Sequence, residues 1–195
     1  MSSQNLKAVA VKKLKMENLF HQVDNITDEL VDAVSSFSDK EINEIPFEGS
    51  WTAAQVADHV RKSNNGIAQA LQMKGRRDER NADERVEELK DVFLDFEIKL
   101  RSPEFILPAQ NVYDKKELIE RLEKSVDRIK QERANADLSE IIDLTVLGTI
   151  SKLELLHFVI FHSQRHVHQL KNISQTIKTK THGTDQSLSQ FSGNN

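Results

Sequence analysis

The stretch Leu153–Ile173, LELLHFVIFHSQRHVHQLKNI, decides the fold. It has no Gly or Pro, is rich in apolar residues and carries four of the chain's seven histidines, so it predicts a long helix. An α-helix turns by about 100° per residue, which puts His162 and His166 on one face, roughly 40° apart. His157 and His168 fall within about 20° of each other on the opposite side. Leu155, Phe158, Val159, Gln169 and Ile173 lie on or beside the His162 face, which makes it the core face. Two neutral imidazoles one turn apart can chelate a divalent metal, but two ligands are an incomplete site. The same spacing also suits two buried, hydrogen-bonded histidines.

Working backwards, Ser151 with Glu154 three residues on predicts the cap of this helix. Upstream, ANADLSEIIDLTVLGTI (134–150) is an apolar connector expected to fold as a short strand or turn on a bundle. Before it, Asp114 with Glu117 caps a helix that Leu118, Leu122, Val126 and Ile129 continue to about Arg133. Pro103 and Pro108 make 102–113 an extended crossover. A charged segment from Lys74 precedes it, with a helix expected over 83–97. Arg76 and Arg77 there read as an exposed face rather than a phosphate site.

Thr52 and Gln55 form another capping box, with Trp51 and Val56 in the hydrophobic-staple positions. That places Trp51, the only tryptophan, over a helix start. Val56, Val60, Ser63 and Ile67 share a face with His59, which then points into the bundle. Asp58 points about 100° away, toward solvent, and Gly75 is the expected helix stop. The first helix is read over 5–38 from Leu19, Phe20, Val23, Ile26, Leu30, Val34 and Phe37, with a bend allowed at 24–27. His21 lies beside this stripe, at the surface or its boundary.

The chain's 195 residues fit one domain, 1–175, followed by a polar tail, 176–195, expected to be disordered and to hold His182 away from any site. A net charge of −4 argues against nucleic acid. With no cysteine there is no disulfide, thiolate metal site or cysteine nucleophile. No apolar run reaches the ~18 residues of a membrane span, and a cytoplasmic protein is expected.

Trp51-Thr52 running to His59, Val146-Leu147-Gly148-Thr149 leading into Glu154-Leu155-Leu156, and His162-Ser163-Gln164-Arg165-His166 with Gln169 together resemble the ordered motifs of the DinB/YfiT-like superfamily. The resemblance covers roughly residues 15–175. It implies an all-α four-helix bundle with a long crossover between helices 2 and 3, often dimeric. It also implies a divalent metal held by His59, His162 and His166, with zinc or nickel expected first and iron or manganese also accommodated. Gln169 and Arg165 flank that set as candidate supporting or substrate-orienting groups. The expected function is a metal-dependent enzyme acting on a small molecule, either a thiol-dependent S-transferase using an external low-molecular-weight thiol or a hydrolase. The alternative is a non-catalytic, stress-related metal-binding bundle or a dimerisation module. No general base is legible. Glu154 is the one acid within reach along the last helix, and it is already spoken for as a cap.

Overall fold

Three of the long helices begin where a side chain accepts a backbone N–H: Thr52 from Gln55, Asp114 from Glu117 and Ser151 from Glu154. A computed structural model describes residues 3–191. Its helices are α1 (Ser3–Ser35), α2 (Ala53–Gln72), α3 (Val86–Leu94), α4 (Lys115–Asn135) and α5 (Lys152–Phe191). Between α4 and α5 lies an antiparallel hairpin, β1 (Ile141–Leu144) with β2 (Gly148–Ser151), pairing Ile141 with Ser151 and Leu144 with Gly148. The connector thus folds as strands, with Gly148 at φ 67° supplying a left-handed residue at the turn.

The four long helices α1, α2, α4 and α5 form the bundle; α2 packs on α4 and α1 on α5. Leu30, Leu71, Leu122, Ile129, Leu155 and Leu170 are all but inaccessible at its centre. Helix α3 lies within the crossover and packs on α5, so the link from α2 to α4 is held against the bundle rather than hanging free.

Three local expectations change. Helix α1 runs through 24–27 without interruption, because Thr27 turns its hydroxyl back to the carbonyls of Val23 and Asp24 at 2.8 and 3.0 Å. Gly75 does not end α2 in a left-handed conformation; α2 stops at Gln72. Gly75 instead allows close approach, since a Cβ there would stand 2.6 Å from that of Glu140. Next to it, Arg76 and Ile141 exchange two 2.9 Å backbone bonds. Helix α3 is shorter than expected at both ends.

The tail expected to be disordered from Thr176 instead continues α5 to Phe191. Ile177, 1% exposed, extends the apolar stripe one turn past Ile173. The hydroxyls of Thr176 and Thr179 bond back to the carbonyls of Asn172 and Gln175 at 2.9 Å, so these polar residues are accommodated in the helix. The side chain of His182 lies outside the described residues.

Candidate metal centre

The α2 capping box is complete: Gln55 N–H donates to Thr52 Oγ1 at 3.1 Å and Thr52 N–H to Gln55 Oε1 at 3.0 Å. That start sets the phase of α2, and His59, two turns in, is 2% exposed and turned to the core. Helix α5 is set in the same way, with Ser151 N–H donating to Glu154 Oε2 at 2.8 Å and Glu154 N–H to Ser151 Oγ at 3.0 Å. Its His162 and His166 are 5% and 6% exposed and face His59.

The three imidazoles meet through one kind of atom. His162 Nε2 lies 3.2 Å from His59 Nε2 and 3.1 Å from His166 Nε2. Tetrahedral bonds of about 2.0–2.1 Å to a common ion place two nitrogens about 3.3 Å apart, so both separations suit a shared cation. The outward nitrogens fix the tautomers. His59 Nδ1 donates to the Ile106 carbonyl at 3.0 Å, and His166 Nδ1 to Gln169 Oε1 at 2.9 Å. Both rings therefore present a bare Nε2 lone pair to His162.

Burial holds all three rings neutral. It pushes His162 well below the ordinary histidine range, with the neighbouring His166 and His59 adding to the effect. It pushes His166 down to about 3, and lowers His59 against the opposing pull of the Ile106 carbonyl and Asp58. A neutral His162 has one N–H for two facing lone pairs, so at least one Nε2 contact sets lone pair against lone pair. A cation at the centre removes that conflict, and the donor set fits a divalent metal.

The cluster opens onto a cavity of about 1040 Å³. Trp51 lies against His59 with ring centroids 5.1 Å apart, Phe158 stacks on His162 at 5.0 Å, and Phe93 meets His162 edge-on at 6.0 Å. Among the described residues no Asp or Glu lines this cavity.

Gln169 therefore stands where expected, against His166. Trp51 does sit beside the start of α2, and it also forms part of the cavity wall. Arg165 is not turned to the histidines: its guanidinium donates to the carbonyls of Phe93, Asp95 and Ile98 and clamps the end of α3 onto α5. His157 and His168 stay apart from the cluster, His157 beside Phe161 and His168 stacked 4.1 Å over Phe96. Arg76 and Arg77 pair with Asp143 and Asp137.

One acid differs from expectation, and a second keeps the capping role expected of it. Asp58 is 4% exposed, not solvent-facing, because the crossover folds over it. It accepts from Arg61 at 2.7 Å, Tyr113 Oη at 3.1 Å and Ala109 N–H at 3.3 Å. Glu154 stays away from the cavity rim. It is wholly buried, takes two 2.8 Å bonds from Arg80 and one from Arg85 N–H, and staples the 80–85 loop to α5.

Sequence reasoning missed the partner of His59, a backbone carbonyl on the crossover. The nearest signal was Phe105-Ile106-Leu107, an apolar triplet between prolines with no helical period.

With this geometry in hand, three comparisons bear on the chain. The family model of the DinB superfamily matches residues 22–170. The uncharacterized protein YuaE of Bacillus subtilis (strain 168) is 24% identical over 156 residues, covering 74% of this chain and 90% of YuaE. Among solved structures, YfiT from Bacillus subtilis, described as a probable metal-dependent hydrolase with an unusual four-helix bundle topology, superposes with a TM-score of 0.55. It is 16% identical, with 85% of this chain and 89% of YfiT covered. TT2238, described as a four-helix bundle protein, gives a TM-score of 0.54 at 16% identity over 80% of this chain and 98% of its own. At these identities the structural likenesses establish the fold.

Proposed function

We propose that this chain, which belongs to the DinB superfamily, binds one divalent metal through His59, His162 and His166 and is a metal-dependent enzyme acting on a small molecule in the adjoining cavity. The observation that carries this reading is the convergence of three neutral Nε2 atoms, 3.1 and 3.2 Å apart, at the wall of a large aromatic cavity. Three protein ligands are the count of a catalytic zinc site, and the all-imidazole donor set favours zinc or nickel over harder ions. When bound, such an ion supplies Lewis acidity that presents water as hydroxide or a thiol as thiolate near neutral pH.

The chain's own residues do the rest. Ile106 O and Gln169 hold the two outer imidazoles in the ligating tautomer, and Trp51, Phe93 and Phe158 keep bulk water from the cluster. The carboxylate-free lining favours transfer from an external low-molecular-weight thiol. Once the thiol proton has gone to solvent, sulfur bonds to an electrophilic carbon and the leaving group departs with its bonding electrons, so no carboxylate base is required. A chain without cysteine must take that thiol from outside.

Likeness to YfiT supports a second reading, hydrolysis of a small molecule. Metal-loaded protein incubated with a thiol and an aryl halide separates the two. Enzyme-dependent loss of free thiol, abolished in His162→Ala, supports transfer. Ester or amide cleavage without thiol consumption supports hydrolysis, and neither activity leaves the non-catalytic metal-binding bundle. A cytoplasmic homodimer is part of the proposal. The absence of cysteine suits a reducing compartment, and exposed Val11 and Leu14, about 60° apart around α1, offer an apolar patch.

A further inference from the structure

The cavity walls are sorted by charge to a degree the chain as a whole is not. Acidic residues outnumber basic ones, 31 to 27, yet the cavity is lined by Lys99, Arg101 and Arg165 and, among the described residues, by no acid. Arg165 is engaged with three carbonyls and faces Asp95. Lys99 and Arg101 belong to the crossover, remain exposed, and pair with no carboxylate among the described residues. Their nearest acidic neighbours in sequence, Glu97 and Glu104, lie outside the cavity lining. Between the two cations and the buried histidines the walls are aromatic and aliphatic, with Trp51, Phe93, Phe105, Leu147, Phe158 and Ile173 among them. Such a surface receives an apolar body and leaves an anionic end beside the cations.

We propose that Lys99 and Arg101 are specificity-determining residues that recognise the anionic group of an amphiphilic ligand, its apolar body filling the cavity toward the histidines. The proposal rests on reading the cavity as the substrate site and needs no bound metal for its test. Trp51, the only tryptophan, lines the cavity and reports on its occupancy.

The probes are anilinonaphthalene sulfonate and N-phenylnaphthylamine, which share an aromatic body and differ in the sulfonate. Energy transfer from Trp51 locates each in the cavity. In the wild type the sulfonate binds more tightly than the neutral probe, and its advantage shrinks as salt is raised. Lys99→Gln with Arg101→Gln weakens the sulfonate about tenfold and leaves the neutral probe unchanged. A Cβ at Gly66, which lines the cavity, meets nothing within 4 Å, so Gly66→Leu fills the space without a clash at Cβ and displaces both probes.

Equal affinity for the sulfonate in wild type and double variant overturns the proposal, as does equal loss of both probes. So does transfer from Trp51 that survives in Gly66→Leu. Metal content of the double variant, unchanged from wild type, keeps this result separate from the metal reading: its loss of charge recognition says nothing against the three-histidine centre.

Discussion

At the scale of single residues, five of the seven histidines divide by what their rings face. His59, His162 and His166 turn Nε2 inward, whereas His157 and His168, on the same helix as two of them, do not reach the cluster. His162→Ala is therefore expected to abolish metal retention with helicity by circular dichroism largely intact. His157→Ala and His168→Ala are expected to retain the metal, and equal loss in these two variants would contradict the face assignment. Gln169 acts one bond further out. Gln169→Leu removes the acceptor that holds the His166 tautomer and should weaken metal affinity about 10–100-fold, read by competition with a chromogenic chelator. The pairing of histidines was legible in sequence because helical spacing is arithmetic. The lone-pair conflict was not, because it depends on Ile106 O, 47 residues away along the chain from His59.

At the scale of elements, the crossover from Glu104 to Tyr113 works as a strap held by consecutive turns of α2. Lys62 Nζ donates to the Leu107 carbonyl at 2.6 Å, His59 to that of Ile106, and Asp58 takes Ala109 N–H and the Tyr113 hydroxyl. Asp58 and His59 thus both hold the strap, Asp58 through Ala109 and Tyr113 and His59 through Ile106. Tyr113 is the only tyrosine, so tyrosinate absorbance reads the strap directly. Burial, with the adjacent Asp58 charge and hydrogen bond, raises its pKa to about 12. Its titration is expected near that value in the wild type and nearer 10 in Asp58→Asn, with metal affinity weakened in parallel; an unshifted titration would show that the strap is not held by Asp58.

Between pH 10 and 12 the unfolded chain has lost a proton that the folded chain keeps, so stability falls as pH rises through that window. Tyr113→Phe removes this contribution. Capping boxes made the starts of α2 and α5 readable, since three-residue spacing suffices. The burial of Asp58 and of Glu154 was not readable, because it comes from the crossover and the 80–85 loop, which have no periodic signal of their own.

At the scale of the whole molecule, the bundle was legible from apolar stripes alone, and the hairpin was anticipated as a strand or turn. The continuation of α5 was missed because polarity argued for disorder while Ile177 and two threonines that bond back within the helix argued for more helix. Because the three histidines come from α2 and α5, the proposed metal binding is expected to be coupled to folding. At metal concentrations about 100 times the Kd, binding adds about 2.7 kcal/mol and raises Tm by several degrees in the wild type. His59→Ala should show no such rise in a differential scanning experiment.

The most direct measurement is elemental analysis of protein purified without a His-tag or chelator, beside a His59→Ala control. About one divalent metal per chain is the expectation for the wild type, with its loss in the variant. Wild-type protein that holds no metal even after reconstitution with zinc, nickel and manganese would contradict it.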